Sequence, residues 1–304
     1  FARLNEATAF ARLAASGVPA VATVDNMEQI EVLAAAAKRE ATTIDLCLDI
    51  DLSWRPLGSR THFGVRRSPL RDARSAVNLG RQIKQTPRVR LTALLAYEAQ
   101  IAGMRDRNPG SRYLDPIRRL VKRRSKPLAL KRRRQIVNAL TDAVGPVSIV
   151  NGGGTGSIHF TSKDPTVTEV TAGSGFLCPH LFNGYRDLPL EPAIFFALQV
   201  VRRSDADHIT CQGGGYVASG EAGADRLPVV HLPLGLNPVD LEGFGEVQTP
   251  FKAKAAMPFL SDPVICRHAK GGELAERFAE YLLVRNGKIV GREPTYRGLG
   301  HCYF

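Results

Sequence analysis

Six consecutive residues, Gly152, Gly153, Gly154, Thr155, Gly156 and Ser157, have the make-up of an anion grip. Glycine lets the backbone turn sharply and bring its N–H groups close to a ligand. Several such groups pointing one way, with the Thr155 and Ser157 hydroxyls beside them, form a cradle for phosphate. The apolar run 147–150 just before them reads as a buried strand. The loop is therefore expected on the C-terminal end of a strand, where α/β folds bind ligands. A nucleoside-triphosphate loop would end in Gly-Lys-Ser/Thr, and this one does not. A dinucleotide fingerprint needs a helix after the glycines and an acidic residue ending the next strand. Glu169 stands near the right distance, but it reads as mid-strand, and Pro165 interrupts the interval. A glycine-rich surface turn is the plain alternative.

Other chemistry is thinner. There is no Gly-x-Ser-x-Gly elbow, no His-Glu-x-x-His pattern and no zinc-like cysteine spacing. Cys211, just before Gly213, Gly214 and Gly215, could be a loop nucleophile; a small buried thiol beside a turn is the preferred reading.

The elements that must position the glycine loop follow in order. Leu4, Ala7, Ala11 and Ala14 share one helical face, and Gly17 is placed to end that helix. A short strand, 20–24, leads to Asn26, which can cap a helix with Gln29 as its box partner. That helix buries Met27, Ile30, Leu33 and Ala37. The strand 44–51 alternates: Ile44, Leu46, Leu48 and Ile50 on one face, Asp45, Cys47, Asp49 and Asp51 on the other. In a parallel barrel the apolar face packs on outer helices and the polar residues approach the mouth. A loop over 52–70, a helix over 71–84, a strand over 89–97 ending at Tyr97, and a helix over 116–140 broken at Pro127 come next. The order βαβαβαβ predicts a parallel sheet or barrel. After about residue 185 the texture changes to short apolar runs among Gly and Pro: 193–201, 208–210, 229–234 and 263–266. A helix over 273–280 and a hairpin through Asn286-Gly287 follow. The division predicted is 1–185, α/β and ligand-binding, and 186–304, mainly β.

The chain has 304 residues, 44% of them hydrophobic, which is globular composition with a sizeable core. It shows no apolar run of membrane-spanning length and no signal peptide. Five scattered cysteines predict reduced thiols and a cytoplasmic setting. The net charge of +12 has a local source: ten Arg or Lys between Arg118 and Arg134. Without interleaved aromatics this segment reads as the solvated outer face of a barrel helix, anchored by Leu120, Val121, Leu128, Leu130, Ile136 and Val137, rather than as a nucleic-acid surface.

Taken together the motifs resemble a known family. A barrel strand ending Gly64-Val65-Arg66, a strand ending at Tyr97, the Asn151-Gly-Gly-Gly-Thr-Gly loop, Glu169-Val-Thr-Ala-Gly-Ser-Gly, a β domain and a late His268 stand in that order. The chain is similar to the fold-type III pyridoxal-phosphate enzymes, in the D-threonine aldolase and D-serine dehydratase branch of the alanine racemase superfamily. The resemblance runs over nearly the whole chain and implies a (β/α)8 TIM-type barrel followed by a mainly β domain. It implies pyridoxal 5'-phosphate as cofactor and lyase action on a D-amino acid, a β-hydroxy one. A racemase or a non-catalytic phosphate binder are the alternatives. Gly153, Gly154, Thr155, Gly156 and Ser157 are implied to hold the phosphate, with Ser174, Gly175 and Phe176 as its second contact and Arg66 closing a cofactor-contacting motif. Tyr97 would line the cofactor ring. A homodimer is implied as well, with a small-molecule substrate and no membrane partner.

Three departures accompany the resemblance. His62 stands where family members carry an arginine near the cofactor, so His62 and Tyr97 are the candidate catalytic side chains. The family's metal pair, His-x-Cys or His-x-Asp, is here His268-Ala269-Lys270; protonated lysine is a poor ligand, leaving His268 as metal candidate with Cys266 or Glu273 as conceivable partners. The Schiff-base lysine of the family lies on a strand ahead of anything in this chain, and Lys38, Lys84 and Lys163 fall in predicted helices or loops. With Phe1 opening directly onto a helix, the expectation is a fragment whose first barrel strands are missing.

Overall fold

The computed structural model describes residues 3–254 and 258–302. Two compact units divide the chain: residues 1–106 with 113–173, and residues 107–112 with 174–304. The sequence-based boundary at 185 falls inside the second unit. None of the described helices is long and apolar enough to cross a membrane.

The first unit alternates helix and strand: α1 (Leu4–Ala15), β1 (Val21–Val24), α2 (Met27–Arg39), β2 (Ile44–Asp49), α3 (Ala73–Gln85), β3 (Val89–Ala96), α4 (Ala99–Ala102), α5 (Asp115–Ala143), β4 (Ile149–Gly152), α6 (Ile158–Thr161) and β5 (Glu169–Val170). The five strands pair in parallel and in chain order. This is the strand arrangement of a TIM-type barrel. Ile44, Leu46, Leu48 and Ile50 are buried with Ile30, Leu33, Ile83, Ile136 and Leu140 in one core, as the alternation of β2 predicts. Asn26 does cap α2, accepting from the Gln29 amide at 3.0 Å; the Gln29 side-chain oxygen in return accepts from the Asp25 amide at 2.8 Å, one residue earlier than a standard capping box.

Helix α5 departs from expectation twice. It runs unbroken for 29 residues through Pro127, because Pro127 is exposed and its lost bond faces water. Its buried stripe is Val121, Ser125, Ala129, Arg133, Ile136 and Leu140, so Leu120 and Leu128, expected as anchors, are each 43% exposed.

The second unit is built on a six-stranded antiparallel sheet. Its strands are β6 (Phe196–Arg203), β7 (His208–Gln212), β8 (Val229–Leu232), β9 (Leu236–Pro238), β10 (Gln248–Ala253) and β11 (Pro263–Arg267), in the order β8-β11-β6-β7-β10-β9. Phe196, Leu198 and Val200 of β6 alternate into a core with Ile209, Cys211, Phe251, Val264 and Cys266. Sequence reasoning missed β9 and β10, whose residues are interrupted by Pro238 and Pro250. The helix expected over 273–280 is a 3-10 turn, Gly271–Glu276, followed at once by β12 (Glu280–Arg285). β12 pairs with β13 (Lys288–Pro294) as a hairpin, and both Asn286 (φ 51°) and Gly287 (φ 72°) are left-handed, as a type I′ turn requires.

Candidate functional site

The C-terminal ends of the parallel strands gather polar groups on one face. Thr23 stands in register with Cys47, and one row further on Asp49, Leu95, Asn151 and Glu169 stand in register across β2 to β5. Asn151 donates to Glu169 at 2.6 Å and accepts from the Thr171 hydroxyl at 2.9 Å. Burial, and then the neighbouring Asp49, push the Cys47 thiol up to about 12, so it is protonated at neutral pH. Asp49 itself is raised above the ordinary carboxylate value by burial and by Asp25, with the Arg67 guanidinium opposing. A raised carboxyl favours folding fully below its unfolded pKa, and that contribution is lost as pH rises through the folded value. The ionised Asp49 is therefore a burden at pH 7. Asp49→Asn is expected to raise the melting temperature at pH 7, with the gain vanishing below the ordinary Asp value of 3.8; thermal scans on either side of that value check it.

Between β2 and α3 the loop over 52–70 is tied down. Trp54 and Phe63 exchange backbone hydrogen bonds of 2.8 and 2.9 Å and stack their rings at 5.4 Å. Asp51, buried, accepts from the Ser53 amide and hydroxyl, Arg55 and Arg71 at 2.7–3.1 Å. At the loop's far end the Ser68 hydroxyl donates to the Asp49 carbonyl at 2.6 Å and the Asp51 amide to the Leu70 carbonyl at 2.8 Å. Gly64 (φ 136°) packs so closely that a Cβ would lie 2.8 Å from Ser53 Cβ. His62 hangs in this frame with Nε2 at 3.2 Å from the Val65 carbonyl; Nδ1 is buried with no protein partner among the described residues. Arg66 is exposed. It is Arg67, not singled out from sequence, whose guanidinium lies 5.9 Å from the centre of the Tyr97 ring.

Tyr97 follows β3 directly, and the glycine loop lies against it. A Cβ on Gly154 would sit 3.0 Å from the Tyr97 ring. Burial holds the Tyr97 hydroxyl above its ordinary pKa; Arg67 opposes this and Glu98 adds to it, so the phenol keeps its proton and is a hydrogen-bond donor. Beneath the loop lies a group the sequence reading passed over. Glu98, 0% exposed, accepts from the Gly153 amide at 3.2 Å, from the Ser157 hydroxyl at 2.9 Å and from the Thr161 hydroxyl. Arg133, also 0% exposed, donates to Glu98 at 2.5 Å, to Asp164 at 2.6 Å and to the Ala96 carbonyl at 2.9 Å. Burial would raise Asp164, but hydrogen bonds from Thr166 and Arg133 outweigh it and hold its carboxyl below the usual range. The core-facing side of the loop therefore closes on two carboxylates around one guanidinium, whose Nε is buried with no protein partner among the described residues.

The remaining sequence candidates lie in the second unit. Ser174–Phe176 is a 3-10 turn, its Ser174 carbonyl accepting from the amides of Leu177 and Cys178 at 3.2 and 3.0 Å, and Phe176 is 79% exposed. His268 is buried, with its ring Nδ1 engaged by the Lys270 backbone. Glu273 takes the Ser219 amide at 3.1 Å through both oxygens, and Cys266 is buried with its thiol pushed up to about 12, chiefly by burial. Among the described residues, His268, Cys266 and Glu273 do not come together as a set of three ligand atoms. Among the described residues, the one grouping of three potential ligand atoms is Asp205, Asp207 and His208, in the turn between β6 and β7. Cys211 is wholly buried and its thiol, too, is pushed up to about 12 by burial, in keeping with a packed thiol rather than a nucleophile.

Lysine placement bears on covalent chemistry. None of the strands β1 to β5 carries a lysine. Lys38 lies in the last turn of α2, Lys84 donates to the Val144 carbonyl at 3.0 Å from α3, and Lys163 follows α6; all three are exposed. The basic residues of α5 divide. Arg118 pairs with Asp115 (2.7 Å), Lys122 with Asp106 (2.9 Å), Lys126 lies 5.6 Å over the Phe160 ring, and Arg132 donates to the Ser53 carbonyl (2.9 Å). Arg123, Arg124, Lys131 and Arg134 are exposed.

No protein-family model and no curated protein sequence matches the chain. Solved structures do. A D-threonine aldolase from Filomicrobium marinum superposes with a TM-score of 0.78 at 22% identity, over 98% of this chain and 74% of that one. The chain has the alanine racemase-like fold. D-threo-3-hydroxyaspartate dehydratase from Delftia sp. HT23 gives a TM-score of 0.67 at 17% identity, over 96% and 76% of the two chains. Alanine racemase of Clostridium difficile 630, in complex with cycloserine, gives 0.60 at 12%, over 97% and 76%. Within the alanine racemase-like fold, the glycine loop and Tyr97 occupy strand ends, where barrel enzymes keep their sites.

Proposed function

We propose that this chain binds pyridoxal 5'-phosphate and acts on a D-amino acid, as a lyase on a β-hydroxy one. One observation carries the reading: in an alanine racemase-like fold, the Tyr97 ring lies against Gly154 at the ends of neighbouring strands, placing a flat wall beside a glycine-rich backbone. Within the loop over 153–157 the groups not turned toward Glu98 would hold the phosphate, Tyr97 would face the ring, and Arg67 would keep positive charge beside it. The likeness to a D-threonine aldolase and a D-threo-3-hydroxyaspartate dehydratase favours the lyase over the racemase as substrate chemistry. When bound, the cofactor supplies an electron sink for a carbanion at the substrate Cα.

The chain's own groups supply orientation and protons. Tyr97 keeps its phenolic proton and can donate a hydrogen bond from Oη. With Nε2–H donating to the Val65 carbonyl, His62 carries its lone pair on Nδ1, the atom able to accept a proton. The closed frame of residues 52–70 keeps that ring in place.

A second reading is a module that binds the cofactor without a covalent link; none of β1 to β5 carries a lysine. Titrating the protein with pyridoxal 5'-phosphate, reducing with borohydride and mapping the product by mass spectrometry tests both. A pyridoxyl group on one specific lysine is the result expected for an enzyme. Saturable binding with nothing fixed by reduction supports the module. No saturable binding at all removes both.

A further inference from the structure

We propose that Glu98 is the positioning residue of the glycine loop, setting from the core side the backbone shape that grips phosphate. The inference rests on the reading of that loop as the phosphate site.

A carboxylate has about four lone-pair positions. Glu98 fills them with four donors from four separate places. Oε1 takes the hydroxyls of Ser157 and Thr161; Oε2 takes the Gly153 amide and Arg133 Nη2. Its orientation is therefore over-determined. Arg133 fixes it further, because the same guanidinium is held by Asp164 and by the carbonyl of Ala96, the last residue of β3. The carboxylate thus connects the end of β3, the turn after β4, α5 and α6.

The order of the hydrogen bonds gives Glu98 a second hold on the loop. An ionised carboxylate only accepts, so it draws the single Ser157 hydroxyl proton toward itself. That leaves the Ser157 oxygen as acceptor for the Gly154 amide, at 3.2 Å. Two successive loop amides, Gly153 and Gly154, are turned inward, one directly and one through Ser157. The glycines permit this. Gly153 is left-handed (φ 81°), and a Cβ there would lie 3.0 Å from the Thr161 hydroxyl. A Cβ on Gly152 would lie 3.1 Å from Arg133 Nη2. The glycine run is explained as much by the need to close over Glu98 and Arg133 as by a ligand. Fixing the inward amides beforehand also lowers the ordering cost of holding an anion on the rest of the turn.

The test is equilibrium binding of pyridoxal 5'-phosphate and of pyridoxal, which has the same ring without the phosphate, to the full chain and to Glu98→Gln and Thr161→Val. The wild type is expected to prefer the phosphorylated form; equal affinities would remove the phosphate-site reading itself. Glu98→Gln turns an amide N–H₂ toward donors and should weaken the phosphorylated ligand at least about tenfold, the scale of one buried hydrogen bond to a charged group. Pyridoxal affinity should stay within about twofold. Thr161→Val removes one donor and should give a smaller loss in the same sense. If wild type discriminates and both variants discriminate equally well, Glu98 does not position the loop. A parallel loss for both ligands would also overturn the proposal, since a general structural defect does that. Should Glu98→Gln fail to fold, Thr161→Val decides with amide hydrogen exchange over residues 150–162. Faster loop exchange together with loss of phosphate preference is the expected result, and faster exchange with full preference overturns it.

Discussion

Arg133→Met is expected to destabilise the first unit by about 3–5 kcal/mol, the scale found when one partner of a buried ion pair is removed. Arg133 and Glu98 are both fully buried, and Asp164 nearly so. Methionine matches much of the side-chain volume but leaves both carboxylates without their cation. Glu98 retains the Gly153 amide and two hydroxyls, and Asp164 the Thr166 amide at 3.0 Å and hydroxyl at 2.7 Å. Urea denaturation gives the loss directly. The pH dependence has a definite sign. In the wild type Asp164 is held below its ordinary value, so its contribution is present above that value and lost as pH falls through the folded one. The variant lacks the part of that contribution that Arg133 supplies, the Thr166 bonds remaining, so the gap to wild type should narrow in acid. Pairing the change with Glu98→Gln should cost less than the sum of the two single changes, because one of the stranded charges is then gone. A single-variant loss below about 1 kcal/mol would mean that the carboxylates find other relief.

Gly153→Ala should have the second large effect, on ligand affinity. Two penalties coincide there. The backbone is left-handed at φ 81°, which costs an L-residue roughly 1–2 kcal/mol. The new methyl would also lie 3.0–3.2 Å from Thr161 Oγ1, Cβ and Cγ2, displacing a side chain that donates to Glu98. Affinity for pyridoxal 5'-phosphate is expected to fall about tenfold or more. Gly145→Ala is the control. It is also left-handed (φ 125°) but has open space around the added Cβ. It should cost stability and leave affinity alone. Equal affinities for wild type and Gly153→Ala would show that the loop does not bind the phosphate.

The parallel scaffold and the last hairpin could be read from residues because their signals are local. The alternation of β2, the Asn26 cap and the Asn286-Gly287 turn each depend on a few neighbours in sequence, and each forms as expected. The short strands β9 and β10 could not be read in this way, since their pairing is set by partners far along the chain. The site was legible where chemistry is concentrated, in the glycines and Tyr97. Glu98 looked like an ordinary residue after a strand, and Arg133 was one of four successive basic residues. A signal for Arg133 was present in the helical phase: it continues Val121, Ser125 and Ala129 at four-residue spacing and leads into Ile136 and Leu140. A charge on the buried stripe of a helix demands a buried counter-charge. Taking Leu120 and Leu128 as anchors together with Val121 and Ile136 hid this, because the two pairs lie on different faces of the helix.

The loop over 52–70 leaves and rejoins the scaffold at one point, where Asp49 and Asp51 of one strand end meet Ser68 and Leu70. A segment clasped at its neck can change in length or content with little disturbance to the strands below, since lengthening a closed loop costs only logarithmically. It is the natural place for new selectivity to be written, by evolution or by grafting, with His62 as the first letter to change.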